Sequence, residues 1–171
     1  QVFLAAFDSM KKTEREINAV YSVELLLAFA KELENVRDIS AAAVIQSDQA
    51  LIDEAMRLIG LLPQKTNTLI DQLDDDNLIT SIEEWRSQYL GRFSIVGEQR
   101  QPAFLDQFNY FQTNIEEIYL TARQYAQTSG LTLDSDDTVQ RLTSTLLIDL
   151  PQVERAAGLG HSAGIYAFAE Q

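Results

Sequence analysis

Apolar residues recur along this chain at steps of three and four, the period of a helix face, while the strict alternation of a half-buried strand is scarce. The clearest stripe is Phe104, Phe108, Phe111, Ile115, Ile118, Ala122 and Tyr125, a heptad-like seam suited to helix-on-helix packing. Leu78, Ile82, Trp85 and Tyr89 begin a second. Ile52, Ala55, Ile59, Leu62, Thr66, Leu69 and Leu73 form a third. At the front, Phe3, Phe7, Met10, Ile17 and Tyr21 lead into the apolar run "VELLLAFAKELENV", whose stripe Phe29, Leu33, Val36 and Ser40 marks a buried face. At the far end Val139, Leu142, Leu146, Leu150, Val153, Ala157, Gly160, Gly164 and Ala167 keep the same spacing, but side-chain size collapses after Val153.

The polar positions between these stripes place the breaks. "QSDQ" offers Ser47 or Asp48 as an N-cap, and "DDDN" (Asp74 to Asn77) puts acids where a helix dipole favours them. "GEQRQP" (Gly97 to Pro102) pairs a closing glycine with a proline just inside the next helix. In "TSGLTLDSDD" (Thr128 to Asp137), Gly130 closes one helix and Asp134 caps another. Pro63 falls mid-stripe and predicts a kink in the second helix. Five helical segments follow, roughly 1–45, 48–73, 77–97, 101–128 and 135–170. Joining the third and fourth as one kinked rod gives an all-α, antiparallel up-down four-helix bundle with long first and last helices and both termini at one end. Residues 1–171 read as a single domain.

Composition narrows the partners. A formal net charge of −13 repels polyanions, which disfavours nucleic acid and attraction to an anionic membrane surface. The absence of cysteine excludes disulfides, thiolate metal sites and cysteine nucleophiles. No run of uninterrupted apolar residues is long enough to span a bilayer. The chain opens at Gln1 without methionine, which suggests a segment of a larger protein whose anchors lie outside it.

Candidate chemistry is sparse. Gly158, Gly160 and Gly164 narrow one helix face, letting a neighbouring backbone approach closely. His161 flanks that face; a lone histidine cannot build a Glu-x-x-His di-iron site. The acid clusters lack the alternating spacing of a calcium loop, and capping accounts for them. Trp85 and Tyr89 read as core, with Arg86 and Arg92 reaching solvent. No nucleophile elbow occurs, and neither an enzyme nor a cofactor or metal site is expected. Arg37 follows Val36 at the edge of the buried stripe, where it either forms a salt bridge to a neighbouring helix or meets an anionic ligand.

Three stretches carry a resemblance. Val36-Arg37-Asp38-Ile39-Ser40 corresponds to a His-Arg-Gly-Leu-Ser-like sequence near the end of a first helix; "SGLTLD" (Ser129 to Asp134) matches a turn before a long helix. Leu150-Pro151 with Gly158, His161 and Gly164 follows the spacing of an L-P-x6-G-x2-R-x2-G pattern. On these positions the chain resembles the helical extracytoplasmic sensor regions of bacterial transmembrane receptors: methyl-accepting chemotaxis proteins, sensor kinases and diguanylate cyclases, with a nitrate/nitrite-sensor-like helix motif. Val36 and Asp38 stand where that pattern has histidine and glycine, and His161 where it has arginine. The resemblance implies a ligand-binding role for Arg37 and His161, with Ser40 a further candidate in the same stretch; the small side chains at Gly158, Gly160 and Gly164 make that face the candidate place for signalling through close helix packing.

The expectation is therefore a periplasmic sensor module of an inner-membrane receptor. It binds a small polar or anionic molecule, associates as a weak homodimer, meets the membrane only through flanking segments, and passes a helix displacement to a cytoplasmic output. The alternative, from a different class, is a ligand-free structural or protein-interaction bundle. A polar cavity favours the first and a continuously packed interior the second.

Overall fold

The computed structural model describes residues 2–92, 102–131 and four further positions, 145, 149, 153 and 156; side chains are described for 13–91, 107–131 and those four. Its helices are α1 (Val2–Gln46), α2 (Gln49–Gln72), α3 (Asp76–Tyr89), which runs into a 3-10 turn at Leu90–Arg92, and α4 (Pro102–Thr128). The fold is an all-α antiparallel four-helix bundle with a short third helix.

The joints are made by the residues that the polar pattern singles out. Ser47 adopts a left-handed φ of 50°, ending α1. Asp48 then takes the cap, its Oδ1 accepting from the backbone N–H of Ala50 at 2.8 Å and of Leu51 at 3.4 Å. Asp75 does the same for α3, accepting from Asn77 and Leu78 at 3.0 Å each. Each cap satisfies two N–H groups that a helix start leaves without partners. Pro102 is the first residue of α4. Gly130 closes α4 at φ +83°, a conformation that a side chain disfavours. Helix α2 continues through Pro63.

Cross-helix contacts fix the directions. Glu32 pairs with Lys65, and Asn67 accepts from Arg86, so α2 runs opposite to both α1 and α3. Arg37 meets Gln112, Glu34 meets Tyr119, and Ser22 meets Tyr125, so α4 runs opposite to α1. Tyr89 packs against Tyr110, while Asp75 at the other end of α3 acts on Tyr125. Helices α3 and α4 are therefore antiparallel neighbours. Segments 77–97 and 101–128 supply two helices, α3 and α4, instead of one rod.

The chain enters through α1 and returns through α4 at one pole, the base. By the α1–α4 register, α4 ends about level with Ala19, and residues 2–18 continue past it for about 25 Å.

The core follows the stripes for most of its length. Ala19, Val23, Leu26, Ala30, Leu33 and Val36 of α1 meet Leu62 and Leu69 of α2, Ile82 and Trp85 of α3, and Phe111, Ile115, Ile118 and Ala122 of α4. Phe29 and Trp85 pack edge to face with centroids 5.5 Å apart. Two expectations are corrected. Ile17 and Tyr21 are 62% and 48% exposed, because the buried phase of α1 runs through Ala19, Ser22 and Val23; two residues along a helix is close to the opposite face. Val153 is 64% exposed, and with Thr145, Asp149 and Ala156 it presents an exposed helical face, so it does not belong to a buried seam. The remainder of segment 135–170, including the capping role of Asp134, lies outside the described residues.

Candidate functional site

The phase of α1 places Arg37 one turn after Leu33 and two after Ala30, in line with the core stripe. Because α1 is flanked by α2 and α4 and touched by Trp85 of α3, its buried face is wide, and the position falls inside it. Arg37 is 2% exposed, the largest fully buried side chain described, and not the edge residue that its charge suggests. A buried guanidinium requires partners. Its Nε donates to Asp38 Oδ1 at 2.8 Å, and Nη2 forms an ion pair with the same oxygen at 2.8 Å. Nη1 donates to Gln112 Oε1 of α4 at 2.6 Å, and Cζ lies 5.3 Å from the Phe108 ring centroid. The expected salt bridge to another helix is thus a bridge to the next residue, supplemented by a neutral amide from across the interface.

The pair is lopsided. The Arg37 side chain is 1% exposed and the Asp38 side chain 34%, so the cation is interior while its counter-ion faces water. Adjacent residues on a helix do not face one another. Only the length of the arginine lets its head swing back to Asp38. One turn earlier, half-buried Glu34 accepts from Tyr119 Oη at 3.3 Å. Burial pushes its carboxyl above the ordinary value, opposed by the charge of Arg37 and by the Tyr119 hydroxyl.

Two buried polar atoms near this level have no hydrogen-bond partner among the described residues. Ser40 is 3% exposed, on the same face as Arg37 three residues on, and its Oγ is unpaired. Thr66, Thr113 and Thr121 each donate to the carbonyl one turn back, a bond that Ser40 leaves unmade. Asn114 is 1% exposed and donates through Nδ2 to the Tyr110 carbonyl at 2.7 Å, leaving Oδ1 unpaired. That carbonyl can only accept, so the amide orientation is set and the unpaired atom is an acceptor. Around them, Tyr110 Oη donates to the Tyr89 carbonyl at 2.8 Å, and Tyr89 Oη meets Glu117 at 3.1 Å.

Of the expected site residues, Arg37 and Ser40 come together on α1. His161, Gly158, Gly160 and Gly164 lie outside the described residues. Asp38, Gln112, Phe108 and Asn114 escape sequence reasoning, although Gln112 sits four residues after Phe108 and three before Ile115, inside the α4 seam's span. Among the described residues no group of three metal-ligating side chains occurs, and no helix is long and apolar enough to cross a membrane. No protein family, curated protein or solved structure matches the chain. The arrangement offers an interior cation, a surface-facing carboxylate that neutralises it, and a spare hydroxyl beside them.

Proposed function

We propose that this chain is an extracytoplasmic ligand-sensing domain of a bacterial signal-transduction receptor, placed in the periplasm, that binds a small polar or anionic molecule. The observation that supports this reading most directly is the position of the Arg37 cluster on the interface between α1 and α4. These are the helices that begin and end at the base, so a ligand that alters their packing shifts one against the other there. Such a ligand changes output only by its differential affinity for two helix arrangements. The small-residue stretch at Gly158, Gly160 and Gly164 and the neighbouring His161 belong to the same proposal as a sliding contact. A weak homodimer through the long helices and a membrane connection through flanking segments complete it.

Ligand binding to the native state must raise stability. Thermal-shift measurements against small carboxylates, oxyanions and neutral polar compounds should therefore find at least one that stabilises the protein, with the effect reduced in Arg37→Met. No shift with any compound removes the sensing reading.

A second reading has an observation of its own. The guanidinium of Arg37 is already engaged by Asp38, Gln112 and Phe108, as a purely structural group requires. On that reading the chain is a ligand-free spacer or a protein-docking bundle, and the compound panel leaves its melting temperature unchanged.

A further inference from the structure

We infer that Asp38 is the built-in occupant of an anion seat on Arg37, and that a small carboxylate or oxyanion binds by displacing it. The inference rests on the sensing reading and adds how the site is regulated. Three observations carry it. The first is the imbalance of burial: the guanidinium is closed off, while the carboxylate that Nε and Nη2 meet is itself a third exposed. Of the two partners, Asp38 is thus the one that solvent reaches.

The second is the geometry of that contact. Both nitrogens approach one oxygen, Oδ1, at 2.8 Å, Nε as a hydrogen-bond donor and Nη2 as an ion-pair contact, instead of the two oxygens of a fork-on-fork pair. A guanidinium edge is shaped for two parallel bonds, and a free carboxylate can supply both. A carboxylate tethered to the adjacent residue of the same helix has less freedom to do so. The third is Ser40. Its buried hydroxyl lies one turn on along the face of Arg37, on the side away from Asp38, and leaves its local carbonyl unused, so a donor is open to an anion that reaches past the Asp38 position. Arg37 presents an oxyanion with a charged edge, for which Asp38 competes; Ser40 adds a hydroxyl on the interior side.

An occupant of this kind sets the threshold of response. The apparent affinity for an external anion is reduced by the fraction of molecules in which Asp38 is off the seat. Removing the tethered carboxylate should therefore tighten anion binding, whereas removing an ordinary surface acid should barely change it.

The probe is sodium acetate, which reproduces the end of the aspartate side chain, titrated into the full chain at constant ionic strength with chloride as the balance. Melting temperature and tryptophan fluorescence are followed for the wild type, Asp38→Ala and Asp38→Ala/Arg37→Met. Asp38→Ala should melt lower and recover saturably with acetate, at a midpoint at least about tenfold below that of the wild type. The double variant should not respond. Asp38→Ser, which keeps a small polar group at this part-exposed position, serves if the alanine variant does not fold, with the same expected direction. Equal midpoints in the wild type and the Asp38 variants, or an unchanged response in the double variant, overturn the inference. If another compound still stabilises the wild type through Arg37, the sensing reading survives that failure. If acetate stabilises the wild type only at its raised midpoint while no compound of the panel does so at lower concentration, the displacement site stands and the sensing reading falls.

Discussion

The α1–α4 interface has two halves of different character. Toward the base, Val23, Leu26, Ile118 and Ala122 pack in an apolar layer with exposures of 1% or less. Toward the α1–α2 turn, the same stripes carry Arg37, Ser40 and Asn114, equally buried, among Phe108 and Phe111. The lower half is stabilised chiefly by area removed from water, with buried Ser22 bonded to Tyr125. The upper half depends on specific partners, and two of its polar atoms lack one among the described residues. A bundle need not contain such a layer to fold, so the contrast directs attention to the upper half as the place where something other than stability is served.

The largest expected effect lies between the two halves and tests the apolar side of the contrast. Leu33→Ala removes a fully buried side chain and should cost about 3 kcal/mol in urea unfolding. A cost below about 1 kcal/mol would mean that this layer is loosely packed.

Next comes the asymmetry of the ion pair. Asp38→Ala strands a buried cation and should cost about 2 kcal/mol, whereas Arg37→Met leaves a carboxylate that can turn to water and should cost less than about 1 kcal/mol. Equal costs would show that the pair behaves as an ordinary surface bridge.

The hydroxyls supply a smaller test. Thr66, fully buried and donating to the Leu62 carbonyl at 2.8 Å, should lose about 1 kcal/mol on change to valine. Ser40→Ala should be neutral or stabilising by up to about 1 kcal/mol, since no bond to a described partner is lost. A clear destabilisation would point to an ordered water on Ser40.

The smallest effect is a pH dependence. Glu34 is held above its ordinary 4.5 mainly by burial, with Arg37, Tyr119 and Lys31 opposing and Asp38 reinforcing the shift. The native state then takes up this proton before the unfolded chain does. The stability linked to it is fully present below 4.5 and is lost as pH rises through the raised native value. Glu34→Gln should therefore be more stable than the wild type near neutrality, and the gap should close on acidification toward 4.5. A gap that widens on acidification reverses the assignment.

The elements were legible because each boundary has a local chemical cause. Segments expected at 48–73 and 101–128 form Gln49–Gln72 and Pro102–Thr128, bounded by Asp48, Pro102 and Gly130. Direction was not legible. Periodicity reports which side of a helix is apolar and nothing about whether the next helix continues or reverses, so two antiparallel helices read as one kinked rod. The third segment also overran: its expected end at 97 became Tyr89 followed by a 3-10 turn. At the site, Arg37 and Ser40 could be picked out from the stripe of α1, but burial of the charge could not, because the width of a buried face depends on how many neighbours flank it. Gln112 was hidden for a related reason. Its role is to meet a charge on another helix, and no pattern within α4 announces that.

The unequal length of α1 has a mechanical consequence. Its first turns run on beyond the level where α4 ends, as a straight continuation of the packed layer above. A slight tilt at that layer becomes a larger displacement at Val2, in the way a long pointer magnifies the movement of a small dial.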